Sequence, residues 1–359
     1  MEQHQQMSGA IRHGPRQRLG ARPRRVFGVM VGGLLLAVLL NAPALEQGAE
    51  RMPYGRERDF WLAVWKPFAA VSRTFYLDEP RNLLDRALGR GGGDLFELPA
   101  APGGGEEPGR EPPATAPAAR TPAPGRGTPA AAPTPTPDLR PRLRTPTAAD
   151  PLRVWIGGDS MVKVLGEAFL RQAAETGVIA ATHDPQLSSG LTRPDFFDWP
   201  GHFNQLVRSG RYEVFIVVFG ANDSQGIKTP DGKIFQPGEE GWTAEYRRRV
   251  AGVMDLLGGG NRLVLWVGQP IMRSAEFSER MAALNAIYRE EAAKRPWVQF
   301  IDLWPLFTTP AGGYDAYLAD DDGQVKEMRH PDGVHLVRAG GERAARAIMA
   351  VLKAEAKIP

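Results

Sequence analysis

At 359 residues the chain is long enough for about two domains, but Pro, Gly, Ala and Arg dominate much of its first 150 residues, so we expect one folded core. The formal net charge is only +3 and most of the basic excess precedes residue 26, which argues against a nucleic-acid-binding face and a nucleic-acid partner. The sequence contains no Cys, which excludes disulfides, thiolate nucleophiles and Cys-ligated zinc.

The first patterned segment is an uncharged run of twenty residues, VFGVMVGGLLLAVLLNAPAL, at positions 26–45. As a helix rising ~1.5 Å per residue, it just spans a ~30 Å hydrocarbon core. Residues 1–25 form a basic tail and Glu46 and Glu50 follow the run, which predicts a cytoplasmic N-terminus and a single-pass inner-membrane anchor with the rest of the chain in the periplasm. A cleaved signal peptide, with small residues at 42–44, and a buried core helix are the alternatives.

A juxtamembrane amphipathic segment is predicted for residues 46–92. Its apolar side chains recur at helical spacing on one face, with an interruption at Pro67, and include Phe60, Val64, Phe68 and Val71. This face is suited to a membrane surface or a partner protein, although a short stalk without a partner fits the pattern equally well.

Residues 93–150 are predicted to be a disordered Pro/Ala/Gly-rich linker. Fourteen prolines occur between positions 99 and 146, and large apolar side chains are almost absent. Such a segment cannot bury enough apolar surface to offset chain entropy and is typical of an extended tether. A head domain, residues 151–359, follows it.

The head alternates short apolar runs with amphipathic stretches. The apolar runs are predicted to be strands buried on both faces, and they occupy 152–157, 213–220, 262–268 and 298–303, with a shorter one near 178–182. Helices are predicted at 161–175, 201–209, 243–257, 276–295 and 338–357. The alternation predicts an α/β three-layer sandwich with a central parallel sheet, whose function resides in loops at the carboxyl ends of the strands.

Two of these loops carry polar residues with possible chemical roles. Ser160 follows Gly157-Gly158-Asp159 at a strand-to-helix turn, where backbone N–H groups can stabilise a developing negative charge. Taken alone, this tripeptide favours the alternative, an ordinary helix N-cap after a glycine turn. Asn222, in Gly220-Ala221-Asn222-Asp223, is either a turn former or a donor that faces the same site.

The stretch HPDGVHL, residues 330–336, precedes the last predicted helix. Asp332 and His335 are three positions apart, so one turn can bring the carboxylate to one imidazole nitrogen while the other nitrogen takes a serine proton. A metal site would use His330 as well. No second ligand cluster occurs, however, and Pro331 and Gly333 exclude a helical metal motif, so no metal or cofactor is expected and His330 is at most a rim residue.

The order and spacing of the three loops over about residues 151–357 resemble the SGNH hydrolases, also called the GDSL esterase/lipase superfamily, in a membrane-anchored bacterial form. The resemblance implies a flavodoxin-like SGNH hydrolase fold with Ser160 as nucleophile, His335 as general base and Asp332 as its orienting carboxylate. It also implies an oxyanion hole formed by Ser160, Asn222 and, as the best candidate for a second-block glycine, Gly190.

The turn-rich insertions at 225–242 and 308–330 are expected to form the rim of the substrate pocket. Asp195, Trp199 and Trp242 are candidates for a sugar-stacking rim, with burial against the core as the alternative for each. Arg193 is a candidate rim residue that contacts an anionic substrate, with an ion pair to Asp195 as the alternative. The predicted function is an exported serine esterase acting on acyl groups, above all O-acetyl groups, of a cell-envelope polysaccharide or peptidoglycan. The alternatives are an O-acyltransferase supplied by a membrane-embedded acyltransferase partner, and a catalytically silent glycan-binding protein.

Overall fold

The computed structural model describes residues 23–75, 77 and 140–359. The predicted basic tail up to residue 22 and the part of the predicted linker up to residue 139 lie outside the described residues. The described chain falls into two units: residues 23–50 with 57–77 form one, and residues 51–56 with 140–359 form the other.

Helix α1, Pro23–Arg51, contains the predicted membrane span. Within the described ranges it is the one helix whose length and apolar composition suit a membrane crossing, and a signal sequence near the N-terminus would share these properties.

Helix α2 spans Arg56–Thr74 and belongs mainly to the same unit as α1. We expected Pro67 to interrupt it, but the helix continues through this residue. A proline removes the hydrogen bond to the carbonyl four residues earlier, here that of Ala63, and this loss need not end a helix. Arg73 forms a 2.5 Å ion pair with Glu46 of α1.

The second unit is built around a parallel sheet. Its strands, including those of two small hairpins, are β1 Leu152–Gly158, β2 Ile179–Pro185, β3 Val214–Val218, β4 Ile227–Lys228, β5 Ile234–Phe235, β6 Leu263–Val267, β7 Val298–Ile301, β8 Tyr317–Ala319 and β9 Val325–Glu327. The main sheet has the order β2-β1-β3-β6-β7, and every neighbouring pair is parallel. Consecutive side chains such as Val154, Trp155 and Ile156 are all buried, as expected for a sheet covered on both faces.

Helices cover this sheet. They are α3 Val162–Thr176, α4 Trp199–Arg208, α5 Glu240–Leu257, α6 Ala275–Ala293 and α7 Arg338–Ala356, with a 3₁₀ turn at Trp304–Phe307. Helix α3 packs against α7, while α5 packs against both α4 and α6. The central five-stranded parallel sheet with flanking helices confirms the predicted α/β fold class.

Residues 140–150 lie against the head, although we assigned them to the linker. Leu143 packs on the hydrophobic core. The Arg144 guanidinium forms a 2.9 Å ion pair with Glu213, and the backbone of Arg142 exchanges two hydrogen bonds with the Asn261 amide. The proline-rich composition of this segment therefore did not predict the apolar contact of Leu143 or the polar contacts of Arg142 and Arg144 with the head.

The strand order determines where a site can form. The chain passes from β1 to β2 on one side and then to β3 on the other, so β1 and β3 are neighbours whose following loops diverge. Their carboxyl ends are in register, with Gly158 opposite Val218. Ligand sites of open α/β sheets form at such a switch point, and the loops with Ser160 and Asn222 both begin there.

Candidate active site

Ser160 lies in the turn between β1 and α3. The N-cap position of α3 is Met161, which makes no side-chain capping bond. The Ser160 Oγ instead lies 2.9 Å from His335 Nε2, so the N-cap interpretation of this serine is wrong. The approach of β1 to β3 requires glycine at position 158, where φ is +150° and a Cβ atom would lie 1.8 Å from the Val218 carbonyl oxygen.

His335 connects Ser160 to Asp332. The imidazole Nδ1 is 2.8 Å from Asp332 Oδ2, and Asp332 Oδ1 accepts hydrogen bonds from the backbone N–H groups of Val334 (2.7 Å) and His335 (3.0 Å). Gly333, with φ at +79°, provides the left-handed turn between the carboxylate and the imidazole. These contacts hold the imidazole in one orientation, in which Nε2 can accept the serine proton.

The environment of Asp332 favours its ionised form. Burial alone would raise its pKa, but the Val334 N–H and the His335 ring outweigh burial and lower the pKa to about 2. The carboxylate is therefore negative at neutral pH, and it can stabilise the imidazolium that forms when the serine proton is taken.

His330 also contacts the carboxylate, since its Nδ1 lies 2.9 Å from Asp332 Oδ2. Its side chain is 44% exposed, compared with 14% for His335. Both ring nitrogens of His335 bond to protein groups, Ser160 and Asp332. Among the described residues, no group of three or more acidic or histidine side chains is arranged to hold a metal ion.

Asn222 follows β3 and is half-buried. Its Nδ2 atom is buried and has no hydrogen-bond acceptor in the described part of the chain, whereas its backbone carbonyl accepts a 2.5 Å bond from Gln225 Nε2. A buried donor without a protein acceptor is costly and uncommon. It is the state expected of a group that donates to a bound substrate or to a reaction intermediate.

Gly190 is close to the Asn222 loop through the neighbouring Asp223. A Cβ atom at position 190 would lie 2.3 Å from Asp223 Oδ1, so a larger residue would displace that carboxylate. The same oxygen accepts bonds from Thr192 N (2.9 Å) and Thr192 Oγ1 (3.1 Å). Asp223 thus links the loop that follows β2 to the loop that follows β3 through hydrogen bonds.

Asp159 ties the first loop to the third in a similar way. Its two oxygens accept backbone bonds from Met161 (2.8 Å) and Gly220 (3.1 Å). Burial raises the pKa of Asp159 to about 7 and that of Asp223 to about 6, against the effect of these N–H donors. We did not predict either linking role, although both carboxylates are direct sequence neighbours of proposed site residues.

Replacement of Asp159 by Asn should alter how stability depends on pH. The pKa of Asp159 is about 7 when folded and ~3.9 when unfolded, so its contribution to stability is full below about pH 4 and is lost as the pH rises to about 7. Asp159→Asn removes this dependence. The melting temperature of the wild type minus that of the variant should fall by roughly 10 °C between about pH 4 and pH 8.

Thermal unfolding of the full chain in detergent, followed by tryptophan fluorescence, measures this difference. Asp322→Asn, which changes an exposed carboxylate between β8 and β9, is the matched control. A wild-type-minus-variant difference for Asp159→Asn that is independent of pH would contradict the buried, proton-binding carboxylate.

The structure corrects the predicted substrate rim at Arg193. This side chain is only 3% exposed and donates two hydrogen bonds, of 2.9 and 3.0 Å, to the Asp195 carboxylate. It also donates a 3.0 Å bond to the Met52 carbonyl. Its guanidinium also lies 4.8 Å from the ring centre of Tyr54, whose hydroxyl donates to Asp195. Arg193 and Asp195 thus hold residues 51–56 against the head, and the local ion pair that we considered as the alternative is the one observed.

The two tryptophans that we assigned to the rim are also buried. Trp199 is fully buried and its indole N–H donates to Ser189 Oγ at 3.0 Å. Trp242 is 4% exposed, stacks on Tyr246 with ring centres 4.9 Å apart, and donates to the Gln225 carbonyl. Each ring contributes apolar area to the core and each N–H has an internal acceptor, so neither presents a face for a sugar.

A family model described as "Protein of unknown function (DUF459)" matches residues 153–351. No curated protein matches the chain.

Similar solved structures include three that each cover less than two thirds of this chain. The C-terminal catalytic domain of peptidoglycan O-acetyltransferase A from Streptococcus pneumoniae is 17% identical, with 58% of this chain and 97% of that chain covered and a TM-score of 0.37. An acetyl xylan esterase from Geobacillus stearothermophilus is 14% identical, with coverage of 58% and 95% and a TM-score of 0.40. A GDSL-like lipase from Bacteroides thetaiotaomicron is 14% identical, with coverage of 59% and 92% and a TM-score of 0.38.

Proposed function

The chain belongs to the family described as protein of unknown function DUF459, and from the geometry of its Ser160 site we propose that it is an exported serine esterase. Its substrates are acyl esters, above all O-acetyl esters, of cell-envelope glycans. The observation that carries the proposal is the hydrogen-bonded series from Ser160 Oγ through His335 to Asp332, with contacts of 2.9 and 2.8 Å. A serine hydroxyl needs such a base to become a nucleophile at neutral pH.

In the first half of the reaction, His335 Nε2 removes the Ser160 proton as Oγ forms a bond to the ester carbonyl carbon. The carbonyl oxygen becomes an oxyanion that accepts hydrogen bonds from the Asn222 amide and from the backbone N–H groups of Ser160 and Gly190. The carbon–oxygen bond to the sugar then breaks, and His335 returns the proton to the departing glycan hydroxyl. An acyl-serine remains.

In the second half, a water molecule gives a proton to His335 and its oxygen attacks the acyl-serine carbon. The bond to Ser160 Oγ breaks, the serine regains its proton from the imidazole, and the carboxylic acid leaves. Asp332 remains ionised throughout, because its pKa is held at about 2. Its role is to orient the imidazole and to stabilise the imidazolium.

The glycan substrate and the location rest on the remainder of the chain. Helix α1 has the composition of a membrane anchor or a signal sequence, and the resemblance to SGNH hydrolases includes exported members that act on acyl groups of surface glycans. We place the head on the periplasmic side of the inner membrane, where a polysaccharide or peptidoglycan is the accessible ester-bearing polymer.

The test uses the full chain in detergent with a fluorophosphonate probe and with O-acetylated glycans. Covalent labelling of the folded wild type, together with release of acetate from at least one glycan, is the expected result. A folded chain that neither reacts with the probe nor releases acetate would favour a catalytically silent glycan-binding protein and overturn the proposal.

An O-acyltransferase is the second candidate function. The observation that favours it is the apolar helix α1, because an anchored head stays close to a membrane-embedded donor of acyl groups. The chemistry is the same up to the acyl-serine, after which a glycan hydroxyl replaces water. The ratio of acetylated acceptor to free acetate, measured with an added unacetylated glycan, distinguishes the two functions.

Asn222→Ala tests the oxyanion hole. Loss of one such donor typically lowers kcat by about 10² to 10³, and we expect a decrease of that size with KM changed less than about threefold. Steady-state hydrolysis of an aryl acetate measures both constants. Asn204→Ala, on α4, is the matched control and should retain wild-type kcat. Equal kcat values for Asn222→Ala and the wild type would remove Asn222 from the oxyanion hole.

A further inference from the structure

Arg329 directly precedes the HPDGVH turn, and its side chain is completely buried. Its guanidinium donates to the backbone carbonyls of Ile271 (2.6 Å) and Val334 (2.7 Å), with longer contacts to the Gly333 carbonyl (3.4 Å) and Met272 Sδ (3.1 Å). In the described part of the chain, no carboxylate forms an ion pair with it and its Nε has no acceptor. A permanent cation is therefore bound almost entirely by main-chain oxygens.

The surroundings of Arg329 act on its charge in opposite directions, because the face of an aromatic ring attracts a cation whereas burial disfavours one. The rings of Phe307 and Tyr314 lie 5.9 and 5.4 Å from its central carbon. Burial lowers the pKa of Arg329 to about 10, with the neighbouring Tyr314 and Asp332 opposing this effect, so the side chain still carries a proton at neutral pH. An apolar residue of similar volume would avoid the desolvation of a guanidinium altogether. The specific contribution of the guanidinium is therefore its set of directed hydrogen bonds to backbone carbonyls.

Those carbonyls belong to two different segments. Gly333 and Val334 lie between the carboxylate and the imidazole of the site, and Ile271 belongs to the loop that follows strand β6. Arg273 reinforces the same junction, because its backbone N–H donates to the Gly333 carbonyl (3.0 Å) and its guanidinium to the Pro331 carbonyl (2.6 Å). The planar guanidinium of Arg329 can bind both segments at once, which an ammonium group cannot do with the same geometry.

Local hydrogen bonds also close the ends of the turn. The His330 N–H donates to the His335 carbonyl at 2.9 Å, and Arg329 pairs with Leu336 in an isolated β-bridge. Both contacts are within residues 329–336, so neither determines the position of the turn relative to Ser160, which lies in the loop after β1. The bonds from Arg329 to the loop after β6 join the turn to the sheet that also carries Ser160.

We propose that Arg329 is a positioning residue, which sets the Ser160 Oγ to His335 Nε2 distance by clamping the 332–335 turn to the 271–272 loop. The inference rests on the proposed esterase or transferase function, because it concerns the reach of the proposed base. A displacement of about 1 Å in such a contact can lower the rate by about 10². Substrate binding at the proposed oxyanion donors does not depend on this clamp.

The experiment compares Arg329→Ala, Arg329→Lys and Arg262→Ala in the full chain. Arg262 is the matched control, since its guanidinium also donates to two backbone carbonyls, those of Leu257 and Gly258. Arg262 directly precedes β6, so it lies at the amino ends of the strands, opposite to the proposed site. Aryl acetate hydrolysis gives kcat and KM, and thermal unfolding reports folding. Each variant is also assayed with millimolar guanidinium chloride and with an equal concentration of sodium chloride.

For Arg329→Ala we expect kcat to fall by about 10² with KM within about threefold of the wild type. Guanidinium chloride should raise the kcat of this variant at least about tenfold, whereas sodium chloride should not. For Arg329→Lys we expect a folded protein with a smaller decrease in kcat, because the charge stays but one nitrogen cannot reach both segments. Arg262→Ala should melt at a lower temperature with unchanged kcat, and guanidinium should not raise the wild-type rate.

The proposal is overturned if folded Arg329→Ala retains wild-type kcat, or if guanidinium fails to restore activity and Arg262→Ala loses activity to the same extent. Where Arg329→Ala does not fold, Arg329→Lys decides: a wild-type kcat in that variant also overturns the clamp. Failure of the proposed function is a separate result, because the wild type would then show neither probe labelling nor hydrolysis.

Discussion

Ser160→Ala should eliminate covalent labelling by a fluorophosphonate probe and lower kcat for ester hydrolysis by about 10⁴ or more. The reason is that an alanine has no oxygen to form the acyl-enzyme, so only uncatalysed or water-mediated hydrolysis remains. The loss should occur without unfolding, because Ser160 makes no capping bond to α3 and its hydroxyl bonds to His335.

Intact-mass spectrometry after probe treatment measures the labelling, and steady-state acetate release measures the rate. Ser209→Ala is the matched control, since Ser209 is an exposed serine at the end of α4 whose hydroxyl donates only to a local carbonyl. This control should be labelled like the wild type. Labelling of folded Ser160→Ala with the wild-type stoichiometry would show that another residue is the nucleophile.

His335→Ala should have the second largest effect, with kcat lowered by about 10³ to 10⁴ and KM nearly unchanged. Without the imidazole, the serine proton has no acceptor, and Asp332 cannot replace it because it lies on the far side of the imidazole from Ser160. The rate of probe labelling should fall in parallel, because the probe also reacts with an activated serine.

The chain offers a matched control in a second histidine–carboxylate pair. His202 Nε2 lies 2.7 Å from Asp184 Oδ2, with both side chains partly buried. His202→Ala therefore removes a comparable contact from the same domain, and it should lower the melting temperature while leaving kcat within about threefold of the wild type. Equal losses of activity in His335→Ala and His202→Ala would mean that the first effect is structural.

Sequence reasoning predicted the elements of the head and the contacts that are local in the chain. The strand at 152–157 and the helix at 161–175 were expected from continuous apolar runs and from helical spacing, and they are observed at 152–158 and 162–176. The Asp332 to His335 contact was expected because three positions and a turn suffice to bring the groups together. Such features depend mainly on neighbours in the sequence.

Contacts between distant segments were predicted less well. Trp199 and Trp242 are residues of a type that often stacks on sugars, yet both rings are buried in the folded head. Arg193 has the charge of an anion-binding residue, yet it pairs with Asp195 and holds residues 51–56. The exposure of a side chain depends on which other segments pack over it, and a single local pattern contains no information about those segments.

The sequence by itself determined the α/β class, the apolar N-terminal helix and the presence of a serine, an asparagine and an Asp–His pair in three separate loops, because apolar periodicity and turn residues act over short distances. Only the tertiary structure decided that Ser160 lies 2.9 Å from a histidine 175 positions away. It also decided that Asn222 Nδ2 is left without an acceptor in the described ranges and that Arg329 binds the 332–335 turn. The order of strands in the sheet is the physical reason, because it places the carboxyl ends of β1 and β3 side by side although the chain separates them.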